Sequence, residues 1–128
     1  MFLKVEISAG ELIDKITILE IKRANIIEPV KRGNIEHEFA LLSHVLTADL
    51  PASPALDAYK SELKKINQTL WGIEDEIRDH ERRQDFGASF IALARAVYHT
   101  NDRRSAVKRQ INDLLGSSLI EEKSYTPY

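Results

Sequence analysis

Cysteine is absent from this 128-residue sequence, which excludes disulfides, thiolate zinc sites and cysteine nucleophiles together. Glycine is scarce: five residues, too scattered to build a dinucleotide fingerprint or a phosphate loop. No Gly-x-Ser-x-Gly elbow occurs, which argues against a serine hydrolase. No motif for a cofactor is found, and none is expected. Neither charge sign dominates: 18 Lys+Arg against 20 Asp+Glu leave a net −2, so no global field draws the chain onto nucleic acid. Long apolar runs are missing as well. No segment approaches the ~20 apolar residues of a membrane span. The opening stretch Met1–Ile7 places Lys4 and Glu6 where a signal peptide would be continuously apolar. Nucleic acid and membrane are therefore not expected partners, and a cytoplasmic location is the expectation.

What is present is an ordinary globular balance, 43% hydrophobic and 30% charged, in a length that suits one domain over residues 1–128. Residues 3–7 alternate apolar and polar, the period of a strand. Ser8-Ala9-Gly10-Glu11 then has the spacing of a capping box, so a first helix starts after Ser8. Leu12, Ile13, Ile16, Leu19, Ile26 and Ile27 share one face of it, while Ile18 and Ile21 point the other way. Such a helix is either central or meets a second chain, so a homodimer or a protein partner is expected. Pro29 and Gly33 are read as ending it, with Asn34 capping a shorter helix that carries Ile35, Phe39, Leu42, Val45 and Leu46.

Ser53 followed by Pro54 marks the start of a long helix, in which Leu56, Tyr59, Leu63, Ile66, Leu70, Ile73 and Ile77 step by three and four as far as about Arg83. The last long helix carries Phe90, Leu93, Ala94, Val97, Val107, Ile111, Leu114 and Leu115 and stops at Gly116. A short connection between the two predicts an antiparallel hairpin, and the whole an all-α antiparallel bundle. Residues 119–125 are read as a brief strand beside residues 3–7, giving a two-stranded ribbon from the ends of the chain.

Polar residues interrupt these apolar stripes. Asn101, Arg104 and Lys108 fall on the stripe of the last helix, Asn67 and Glu74 on that of the preceding one, and Glu20 and Arg23 on that of the first. With a turn near Asp85, residue i stands opposite about 170 − i, so Arg104 lies near Ile66 and Asn67. Lys64, Lys65, Arg103, Arg104 and Lys108 then gather at one level of the hairpin, and the acid that balances them comes from elsewhere, either from Glu20 or from a bound anion. Two readings stay open. In one, Glu20, Arg23, Asn101 and Arg104 form a satisfied structural network that fixes helix register. Alternatively they line a pocket in which Arg104 grips a phosphate or carboxylate, Lys108 adds a charge and Glu20 or Glu74 handles a proton.

Other constellations carry less. His37, His44 and His80 lack metal-ligand spacing and are read as surface residues, with no metal site expected. Trp71 is read as a core or interface anchor. The acidic run Glu74-Asp75-Glu76 is read as a solvated face in which Arg95 finds a partner.

Four stretches carry a family resemblance: Gly10–Lys22 (GELIDKITILEIK), Leu70–Arg78 (LWGIEDEIR), Leu93–Arg104 (LARAVYHTNDRR) and Glu122–Tyr125 (EKSY). They resemble a family of small, functionally uncharacterised helical proteins seen in bacteria and some viruses. The resemblance implies a shared fold and no activity. A looser likeness, in residue types alone, is to the all-helical chorismate mutases, and no site is carried over from it. The expectation is a small helical binding or protein-interaction module, with an enzyme or binding protein for an anionic small molecule as the alternative.

Overall fold

A computed structural model describes all 128 residues and places four helices: α1 (Ala9–Asn25), α2 (Pro29–Asp49), α3 (Pro54–Arg82) and α4 (Ala88–Leu115). The fold is all-α. Three of the helix starts follow from local chemistry. The Ser8 hydroxyl accepts the Glu11 N–H at 3.2 Å, and the Ser53 hydroxyl accepts the Leu56 N–H at 3.1 Å with Pro54 in the first helical position. Glu28 caps α2 through its carboxylate, which accepts from the N–H groups of Val30 and Lys31. At the far end of α4, Gly116 takes the left-handed conformation (φ 62°, ψ 39°) that closes a helix.

Two expectations are corrected here. The first helix ends at Asn25, and Pro29 opens α2 rather than stopping α1, since a proline at the first position gives up only an N–H that has no helical partner. Gly33 and Asn34 therefore lie inside α2, and Ile27 sits in the connection, largely exposed. The ribbon does not form: residues 1–8 and 119–128 contain no strand. Instead the C-terminal tail turns back over α4, where Glu121 meets Lys108 and Glu122 meets Arg109. The Tyr128 hydroxyl donates to Asp102, and its ring packs edge-on to His99.

α1 is the centre. It touches all three other helices, whereas α2 packs on α1 alone. That explains its apolar residues on opposite sides: Leu12, Ile13, Ile16, Leu19 and Ile21 are all buried within this chain. The main core joins Ile13 of α1 to Leu56, Leu63 and Ile66 of α3 and Val107 and Ile111 of α4. Each such side chain contributes about 1.5–3 kcal/mol by leaving water. Around the start of α1 the packing is closer still. The Gly10 N–H donates to the Asn112 Oδ1 at 2.7 Å, and a Cβ on Gly10 would stand 2.5 Å from the Lys108 carbonyl oxygen. Only glycine lets α1 approach the backbone of α4 this nearly.

Candidate functional site

Beside that contact, Gly10, Asp14, Thr17 and Ile21 recur at helical spacing along one side of α1, and all four are buried. Asp14 is 1% exposed. Its Oδ1 accepts from Asn67 Nδ2 and from Arg104 Nε, both at 2.9 Å, and its Oδ2 accepts from Arg104 Nη2. Asn67 Nδ2 also donates to the Thr17 hydroxyl at 3.0 Å, and that hydroxyl donates to the Asp14 carbonyl at 2.8 Å. The Arg104 guanidinium is thus spent on a carboxylate of its own chain in a two-pronged grip. The hydrogen bonds it donates to Asp14 hold Arg104 above its ordinary pKa, against the opposing effect of burial.

Lys108, about one turn further along α4, is buried, and its ammonium donates to Glu11 Oε2 at 2.8 Å and to Glu121 Oε2 at 3.3 Å. Burial works to lower its pKa, but the hydrogen bond and charge of Glu11, with Asp14 and Glu121, raise it above the ordinary lysine value. Every buried side-chain nitrogen and oxygen in the molecule has a hydrogen-bond partner. Of the five cations expected at this level, Arg104 is balanced by Asp14, Lys108 by Glu11 and Glu121, and Lys64 by Glu20, whereas Lys65 and Arg103 make no ion pair.

The seven residues singled out from the sequence divide accordingly. Arg104 and Asn67 meet on Asp14, with Lys108 in the neighbouring ion cluster. Glu20 does not reach Arg104, but it balances another cation of the expected cluster, Lys64, at 3.0 Å, together with Lys60 at 3.1 Å, both on α3. Arg23 bonds Glu36 of α2 at 2.8 Å and stacks over Phe39. Glu74 pairs with Arg78 on its own exposed helix face. Asp79 likewise engages Arg82 and Arg83, whereas Asp75 and Glu76 of the acidic run make no ion pair, and neither does Arg95. Asn101 borders two clefts and makes no side-chain hydrogen bond.

One cleft, of about 480 Å³, opens between α4 and the C-terminal tail, and Tyr98, Asn101, Arg104, Lys108, Glu121 and Tyr125 help to line it. The other, of about 470 Å³, lies between α1, α3 and α4, with Ile18, Ile21, Trp71, Asn101 and Arg104 on its walls. Trp71 is thus at a cleft wall, neither core nor fully exposed. No group of three or more His, Asp or Glu side chains is placed to hold a metal ion, and no helix is long and apolar enough to cross a membrane.

Sequence reading missed Asp14, Thr17, Glu11 and Glu121. In the sequence Glu11 is accounted for by the capping box, and Asp14 and Thr17 do not interrupt a Leu/Ile stripe. The usable signal is the spacing of Gly10, Asp14, Thr17 and Ile21, which marks a second buried face on α1.

Fold and site together define an all-α protein with an ion-paired polar centre bordered by two open clefts. The chain belongs to a family of unknown function (DUF6165), whose model matches residues 3–128. No curated protein and no solved structure matches it.

Proposed function

We propose that this chain is a helical binding module, an antiparallel bundle built on an α3–α4 hairpin, that works by presenting surface to a protein partner. The observation that carries the reading is the use of Arg104 and Lys108. A pocket for an anionic substrate needs converging cations without partners, and here Asp14, Glu11 and Glu121 already balance them. A buried network of this kind fixes which faces of α1, α3 and α4 meet. The cysteine-free sequence suits a reducing, cytoplasmic setting.

A second reading rests on Asn101. Its unbonded amide stands beside Arg104 at the junction of two clefts of ligand size, which suits a small phosphate- or carboxylate-bearing molecule. Thermal unfolding against phosphate, nucleotides, nucleotide sugars, sugar phosphates and small dicarboxylates separates the two. A ligand at about 100 times its Kd adds ~2.7 kcal/mol, a rise of several degrees in a domain of this size. The interaction module predicts no rise with any of them. A stabilising anion whose effect disappears in Arg104→Ala overturns it in favour of the second reading.

A further inference from the structure

Residues 1–8 precede α1 without regular structure, and their apolar side chains meet water: Leu3 is 83% and Val5 76% exposed. Over Leu3-Lys4-Val5-Glu6-Ile7 apolar and charged residues alternate, the pattern of a strand with one apolar face. Lys4 and Glu6 are exposed and take part in none of the chain's ion pairs. An apolar, strand-patterned segment left open in this way is a template for pairing with another strand.

The segment is complementary to itself. Antiparallel pairing of two copies about Val5 sets Val5 beside Val5, Leu3 beside Ile7, and Lys4 of each copy beside Glu6 of the other. All six apolar side chains then lie on one face and two opposite-charge pairs on the other. Parallel pairing in register would oppose lysine to lysine and glutamate to glutamate. The chain's own other strand-like segment is occupied, because Glu121 and Glu122 are tied to Lys108 and Arg109 on α4.

A two-stranded ribbon alone is marginal in water and needs a surface to rest on. The Phe2 ring lies 6.0 Å from that of His37, which brings the start of the segment to α2. There Val30, Leu41 and Val45 are exposed, on a helix that packs against α1 only. The molecule exposes 8829 Å², about 1,900 Å² more than scaling gives for a compact monomer of its mass. A standard interface removes about 800 Å² from each partner.

We infer that Leu3–Ile7 forms an antiparallel intermolecular ribbon with the same segment of a second copy, seated on the outer face of α2. This rests on the interaction-module reading and names the partner. Sedimentation equilibrium of the full chain from low to high micromolar concentration tests it, with circular dichroism as the check that each variant is folded. Wild type is expected to dimerise. Lys4→Glu, which sets glutamate against glutamate twice, raises the dimer Kd about tenfold or more. The double variant Lys4→Glu/Glu6→Lys restores opposite charges and returns the Kd to within about threefold of wild type. A wild type that stays monomeric overturns the inference, as does a dimer indifferent to Lys4→Glu or one that the double variant fails to restore. The anion screen reads separately: a monomer with no anion response sinks only the choice of partner, whereas stabilisation through Arg104 sinks the interaction module itself.

Discussion

Arg104 on α4 holds Asp14 on α1, ninety residues away in the chain, through Nε at 2.9 Å from Oδ1 and through Nη2 on Oδ2. Asp14 is buried while the arginine remains partly exposed, so the arginine brings its charge inward and keeps one edge towards the clefts. Once this pair forms, Arg104 has its counter-ion, and Asp14 ties α1 to both α3 and α4.

Asn67→Asp keeps the size of the side chain and replaces a donor with a second carboxylate beside the Asp14 Oδ1, which Asn67 Nδ2 meets at 2.9 Å. Two carboxylates so close cannot both ionise readily. The variant is expected to lose about 2–3 kcal/mol at neutral pH, and to recover part of it as the pH falls and the pair takes up a proton. Urea titrations at neutral pH and near pH 5 measure this. A deficit that does not shrink in acid counts against the placement of Asn67.

Gly10→Ala is expected to cost about 2 kcal/mol or more, since its Cβ would press on the backbone oxygen of Lys108 at 2.5 Å and on Asn112 Oδ1 at 3.0 Å. Gly33 and Gly72, both inside helices, have nothing within 4 Å of an added Cβ. Alanine at either is expected to stabilise by about 0.5–1 kcal/mol. Melting temperatures of the three variants check the contrast, and equal effects at all three positions contradict it.

Glu20 has its pKa held below the ordinary 4.5: burial raises it, but hydrogen bonds from Lys64 and Lys60 with their charges prevail. A pKa depressed by folding gives stability that is complete above the unfolded value and fades as the pH falls through the folded one. Glu20→Gln is therefore expected to be less stable than wild type at neutral pH, with the gap closing below about pH 4.5. Thermal unfolding from pH 3 to 7 follows it. A gap that is constant across that range argues against the ion pairs with Lys60 and Lys64.

Much of this arrangement was legible from spacing. The cap at Ser53, the helix stop at Gly116 and the opposition of Arg104 to Asn67 all follow from local chemistry and equal helical rise, and Arg104 and Asn67 do reach one carboxylate. Pro29 was misread because a proline near a helix boundary is compatible with either side of it, and the Glu28 side chain that makes it a start is not among the usual capping residues. Asp14 does not stand out from the sequence because it interrupts no stripe of leucine and isoleucine; it sits between Gly10 and Thr17, where small residues let helices approach. The tail was read as a strand from Leu119 and Ile120. What decided its path was the pairing of Glu121 and Glu122 with Lys108 and Arg109, a tertiary choice that no local pattern records.

The most direct test of the central claim, that Arg104 serves Asp14, is a double-mutant cycle of Asp14→Asn and Arg104→Ala followed by chemical unfolding. Arg104→Ala alone is expected to cost about 3 kcal/mol, because it leaves Asp14 charged, buried and held only by Asn67. Asp14→Asn in the same background is expected to relieve much of that loss, giving a coupling energy of about 1–3 kcal/mol. Additive effects, or an Arg104→Ala protein at least as stable as wild type, would contradict the account and mark Arg104 as a residue kept for a ligand.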